Sequence, residues 1–113
     1  MEIKQQQQKK VEILTLVGRL DANTAGMLEK KLIPMFDSYS REVVVDFSEL
    51  DYISSAGLRI LLLAAKTARN KEGRIILCSM QDFIKEIFEI AGFMPVFKIT
   101  NTLEEALQEL EKK

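Results

Sequence analysis

Apolar runs of two kinds alternate along the chain. Val43-Val44-Val45-Asp46-Phe47 and Arg74-Ile75-Ile76-Leu77-Cys78 are short, β-branched and bounded by polar residues, the pattern of buried central strands. In Val11, Ile13, Thr15 and Val17 against Glu12, Leu14 and Leu16 the alternation is imperfect, which predicts a strand covered on both faces and ended by Gly18. Ahead of it, Glu2 to Gln7 reads as an exposed edge strand, joined to its neighbour by a polar turn at Gln8 to Lys10. By composition alone the run Gln5 to Gln8 also suits a disordered polar tract. Val96 to Ile99 predicts a short last strand.

Helical spacing takes over between these runs. Asp21-Ala22-Asn23-Thr24 offers several N-caps to a helix from about Thr24 to Ser38, carrying Leu28, Leu32, Met35 and Phe36. Pro34 lacks a backbone N–H, so a kink or an end near Ile33 is expected. Leu58, Leu61, Leu62, Ala65 and Ala68 mark a second helix, with Ser54 and Ser55 as its caps and its end near Asn70 to Gly73. Phe83, Ile84, Ile87, Phe88 and Ala91 mark a third, closed by Gly92. Thr102 and Glu105 form a capping box for a fourth, with Leu103, Ala106, Leu107 and Leu110 on its apolar face.

The order β-β-α-β-α-β-α-β-α calls for an α/β fold, with about five strands in a mostly parallel sheet, a hairpin at the start and about four helices. In open α/β sheets ligands and functional loops gather at the carboxyl ends of the strands. Two loops at that end are rich in polar groups: Gly18 to Thr24 and Asp46 to Gly57.

Composition narrows the chemistry. At 113 residues, residues 1–113 are read as one domain. Sixteen basic residues against seventeen acidic ones give a net charge of -1, which argues against nucleic acid as a partner. The longest apolar stretch, Ile60 to Ala65, is far short of a membrane span, and Met1 to Lys10 has no apolar leader core, so a cytoplasmic protein is expected. With no histidine and one cysteine, the chain has no Ser-His-Asp triad, imidazole ligand, CxxC pair or multi-thiolate metal site. No enzyme, metal or cofactor is expected. Neither GxGxxG nor GxxxxGK[ST] occurs among the five glycines. Asp21 and Asp46 do not form the acid cluster of a phosphoaspartate receiver, and Cys78 reads as a small buried hydrophobe.

One segment stands apart. Ser54-Ser55-Ala56-Gly57-Leu58 sets two hydroxyls directly before an apolar helix. An N-cap explains them, and so does a phosphate acceptor, because a helix N-terminus offers free N–H groups and a partial positive charge.

Gly18-Arg19-Leu20-Asp21-Ala22-Asn23-Thr24-Ala25, Val44-Val45-Asp46-Phe47-Ser48 and Tyr52-Ile53-Ser54-Ser55-Ala56-Gly57-Leu58 together resemble the STAS family, and within it the bacterial anti-sigma factor antagonists. The resemblance covers nearly the whole chain. It implies a regulator that binds an anti-sigma factor serine kinase, releases a sigma factor, loses its partner on phosphorylation and is reset by a serine phosphatase. It puts the acceptor at Ser55, with Ser54 where the family carries an acid and Ala56 where it carries a second hydroxyl. It assigns Asp21, in the loop with Asn23 and Thr24, to a partner contact and Asp46 to a strand-end acid near the acceptor. Partner contacts are therefore expected at Asp21, Asn23, Thr24, Asp46, Ser54, Ser55, Ala56 and Gly57. For Asp21 and Asp46 the alternative is a solvated loop acid or a cap. The alternative function is a STAS subunit that is not phosphorylated and binds a small ligand or scaffolds a transporter or sensor complex.

Overall fold

Strand order in the sheet follows order in the chain. In the computed structural model, which describes residues 1–112, the strands are β1 (Glu2–Gln8), β2 (Val11–Leu20), β3 (Glu42–Ile53), β4 (Arg74–Cys78) and β5 (Lys98–Thr100), hydrogen-bonded in the order β1-β2-β3-β4-β5. Lys113, the last residue of the expected domain, lies outside the described residues. β1 pairs antiparallel with β2, and the other three pairings are parallel. The helices are α1 (Ala25–Leu32), α2 (Ser55–Asn70), α3 (Asp82–Ile90) and α4 (Leu103–Glu111). This is the single α/β sheet domain that the alternating apolar pattern requires, and Val43 to Phe47 and Arg74 to Cys78 are its interior strands.

A parallel sheet built in chain order with crossovers of one hand sends every connecting helix to the same face. Leu28 and Leu32 of α1, Leu61 and Ala64 of α2, and Ile84 and Phe88 of α3 accordingly share one core with Leu14, Leu16, Val43, Val45, Phe47 and Leu77. Phe47 and Phe97 each meet Phe88 edge-on, with ring centroids 5.9 and 5.8 Å away. Helix α4 follows the last strand and covers the opposite face, where Ala106 and Leu110 pack on Val11, Ile13, Val44, Ile76 and Cys78. The side chain of Arg74 holds its far end, donating to the carbonyls of Glu109 at 3.0 Å and of Leu110 and Lys112 at 3.2 Å. At its near end Thr102 Oγ1 accepts the Glu105 N–H, while Glu105 Oε1 accepts the N–H of Asn101.

Three boundaries, those of β2, β3 and β5, differ from the sequence reading, each for a local reason. Gly18 does not end β2. With φ +101° it sits beside a register shift at Arg19, so it bends the strand as a bulge and lets it run on to Leu20. β3 likewise continues past Phe47 to Ile53, through Ser48 and Tyr52. A second register shift, between Thr15 and Val17, breaks the period of two, so the buried positions Phe47, Leu50 and Ile53 fall three apart and do not look like a strand. Helix α1 stops at Leu32 and gives way to a 3₁₀ turn at Ile33–Phe36, the early end that Pro34 allows. Val96 belongs to a 3₁₀ turn opened by Pro95, so β5 begins at Lys98.

These extensions matter for the site. β4 pairs with β3 only as far as Asp46, opposite Cys78, whereas β2 stays paired to Ile53. β1 accompanies β2 as far as Val17, opposite Glu49, so beyond Glu49 the sheet is a two-stranded arm.

Candidate functional site

The arm ends where two helices begin. Leu20 lies opposite Ile53, and the carbonyl of Leu20 accepts the N–H of Ser54 at 2.9 Å. The start of α2 is thereby tied to the loop that leads into α1. Gly57, in the first turn of α2, approaches so closely that a Cβ there would lie 2.6 Å from Leu20 Cγ and 3.1 Å from Ile53 Cγ1. Glycine permits this contact because it carries no side chain.

Ser54 is the N-cap residue, extended at φ -106° and ψ 174°, and its carbonyl accepts the N–H of Leu58 at 3.0 Å. Its hydroxyl does not cap the helix: Ser54 Oγ is buried and has no hydrogen-bond partner. The first turn therefore has no side-chain cap, and Ser55, its first residue, is exposed. Ala56 beside it is half-buried and adds no polar group. Of the two caps expected from the sequence, Ser54 holds the position without making the bond, and Ser55 lies inside the helix.

The neighbouring loop is tightly wired. Asp21 Oδ1 accepts the N–H of Asn23 at 2.9 Å and lies 3.3 Å from Thr24 Oγ1. Thr24 Oγ1 accepts the N–H of Asp21 at 2.9 Å and donates to the Arg19 carbonyl at 2.8 Å. The Asp21 carbonyl takes the N–H groups of Thr24 and Ala25. The Asp21 carboxylate is thus a fixed part of the turn, while Asn23 is exposed beside it.

Two residues of this surface escaped the sequence reading. Arg19 lies opposite Tyr52 in the ladder, its guanidinium 4.2 Å from the ring centroid, and its Nε lies 3.7 Å from Asp21 Oδ2. Both side chains are at least partly exposed, so the arm presents a stacked cation and ring next to Ser55. No local sequence signal marks the pair, because it exists only once both strands extend past their apolar runs.

Asp46 does not join the group. β3 runs seven residues beyond it, roughly 20 Å of bulged strand. Asp46 Oδ1 accepts the N–H of Ser48 at 2.9 Å, and its register partners are Thr15 and Cys78. It marks the end of the β3-β4 ladder, not the end of β3 next to Ser55. Beside it Cys78 has no exposed surface. Burial pushes its thiol up to about 11, with a hydrogen bond from Ser79 opposing the rise and the Asp46 charge adding to it.

Among the described residues no His, Cys, Asp and Glu side chains gather in threes to hold a metal, and no helix is long and apolar enough to cross a membrane. The family model of the STAS domain matches residues 2–106. The chain belongs to that family. It is 43% identical over 94 residues to a candidate anti-sigma factor antagonist, BtrV, of Bordetella bronchiseptica, a match covering 83% of this chain and 81% of that protein. It is 27% identical over 101 residues to the anti-sigma-B factor antagonist of Listeria monocytogenes, covering 89% of this chain and 88% of that one. The phosphorylated form of the Bacillus cell fate determinant SpoIIAA superposes with a TM-score of 0.71 at 19% identity, over 96% of this chain and 99% of that one.

Proposed function

We propose that this protein is an anti-sigma factor antagonist whose grip on an anti-sigma factor serine kinase is broken by a phosphate on Ser55 and restored by a serine phosphatase, in the cytoplasm. The observation that carries the reading is the exposed Ser55 hydroxyl at a helix start that no side chain caps, held against the Asp21 loop through Ser54 and Gly57. Names shared with the Bordetella and Listeria relatives support the antagonist class.

The switch is electrostatic. Phosphoserine adds about -1.5 to -2 charges at pH 7. Free N–H groups and the helix dipole hold it for roughly 0.3–1 kcal/mol, so the domain stays folded. A carboxylate of the partner at ~6 Å feels repulsion of about 2–3 kcal/mol per unit charge at an effective dielectric of ~20, before screening. Half of that weakens binding about tenfold. The protein is the kinase's substrate and performs no catalysis itself. Ser54, standing where the family carries an acid, keeps carboxylate repulsion away from the phosphate. Asp21, Asn23, Thr24, Ser54, Ala56 and Gly57 frame the contact surface, and Asp46 lies outside it.

Mass spectrometry after incubation with the cognate kinase and ATP tests the assignment. Phosphate on Ser55 in the wild type and none in Ser55→Ala is the expected result. Phosphate on Ser54 alone, or on neither serine, removes the switch and leaves a ligand-binding or scaffolding STAS subunit.

A further inference from the structure

Helix α3 carries apolar residues on two sides: the core takes one whole, and of the other only the middle residue, Ile87, half-buried against it. Ile84 and Phe88 are fully buried against the sheet. Phe83, Ile87 and Ile90, spaced i, i+4 and i+7, form a second stripe, in which Phe83 is 45% and Ile90 81% exposed. Val96, in the turn after the helix, is exposed as well. Single exposed hydrophobes are ordinary on protein surfaces, whereas a helical row of them marks a contact.

The charges next to the stripe are one-sided. Projected at about 100° per residue, Glu86, Asp82 and Glu89 follow one another along the solvent edge of the stripe, all three exposed. Lys85, the one basic residue of α3, falls on the far side of that row and is half-buried. An apolar ridge with a carboxylate row beside it is complementary to a helix bearing an apolar ridge beside Lys or Arg, and it repels an anionic lipid surface.

We infer that α3 is a second docking surface, which takes a basic amphipathic helix of a partner protein. A second copy of this chain could offer such a face, since α2 exposes Arg59 and Lys66 between Leu62 and Leu63. That contact would tie the chain into a dimer, a ring or a filament of its own copies and so cover the face in the free protein. A foreign helix meets the same charges without that consequence. The surface is small, so binding is transient, at about 10–100 μM.

The test is titration of the ¹⁵N-labelled full chain with a synthetic amphipathic helix of Leu and Lys, and with a matched helix of Leu and Glu, following backbone amide shifts. The expected result is saturable shifts confined to residues 82–96 with the Lys peptide and none with the Glu peptide. Ile90→Lys, a change at an open position, should weaken the Lys peptide about tenfold with melting unchanged. Glu86→Lys together with Glu89→Lys should transfer the preference to the Glu peptide. No saturable shift up to about 1 mM peptide, equal response to both peptides, or shifts centred elsewhere overturns the inference. So do shifts on α3 and α2 that grow with protein concentration alone, which assign the face to a second copy, and protection of α3 by anionic vesicles, which assigns it to a membrane.

Discussion

Gly57 rests directly on Leu20, closely enough that even a methyl group between them would overlap the leucine's branch point at 2.6 Å. Leu20 is fully buried and cannot swing aside into solvent. Gly57→Ala should therefore cost stability, by about 1–3 kcal/mol of overpacking less the helix preference of alanine. Urea unfolding measures it. In a Leu20→Ala background the cost of Gly57→Ala should shrink or vanish, and a cost that persists unchanged would place the strain elsewhere.

Asp21→Ala is expected to act on the fold as well as on any partner. A loop carboxylate read from sequence alone suggests an interface residue that the core can spare. In the structure it accepts the Asn23 N–H and lies within reach of Thr24 Oγ1 and Arg19. Losing these bonds should lower stability by about 1 kcal/mol, while the exposed Arg19 ion pair adds little. Calorimetry on Asp21→Ala and Asp21→Asn separates the parts: asparagine keeps the acceptor and should recover most of the stability.

Ser54→Ala should behave unlike an ordinary cap substitution. Removing a serine that caps a helix typically costs about 1 kcal/mol. Here the hydroxyl is buried without a partner, so its removal relieves a desolvated group and should leave stability unchanged or raised by up to about 1 kcal/mol. A melting temperature several degrees lower would show that the hydroxyl makes a bond in solution.

Cys78 predicts an alkaline limit to stability. Its folded pKa, about 11, lies above the ordinary thiol value of 9.0, so the folded state holds its proton where the unfolded state has lost it. The favourable contribution is complete below pH 9.0 and drains away as pH rises toward 11, at most roughly 2 kcal/mol in all. Cys78→Val should flatten the fall in urea midpoint over that window. At pH 8 without denaturant the thiol should not react with iodoacetamide.

Interior strands, the three crossover helices, the capping box of α4 and the early end of α1 were legible in the sequence, because each is written in a local period or in one restrictive residue such as Pro34. The site loops were legible as polar segments, and Ser55 was singled out only by the family resemblance, aligned on Gly57-Leu58. What the sequence hid depends on the partner strand. Gly18 looks like a stop and acts as a bulge, and Ser48 to Tyr52 look like a loop because two register shifts scramble their alternation. The reading of Asp46 as a strand-end acid follows from the same cause: when a strand is read six residues short, its supposed end lies partway along it. Arg19 and Tyr52 meet only across that extension.

The matching of sheet order to chain order has a consequence for how the molecule is made. Each strand after β1, as it leaves the ribosome, finds a neighbour already synthesised. β2, β3 and the first turn of α2, which together frame the Ser55 surface, are complete by residue 58, before β4, α3, β5 or α4 has been made. The back of the sheet waits longest, since α4 emerges last and is latched by Arg74, a residue translated some thirty-five positions before its Glu109 acceptor. A nascent chain thus completes the segments of its Ser55 end before it can close its own rear.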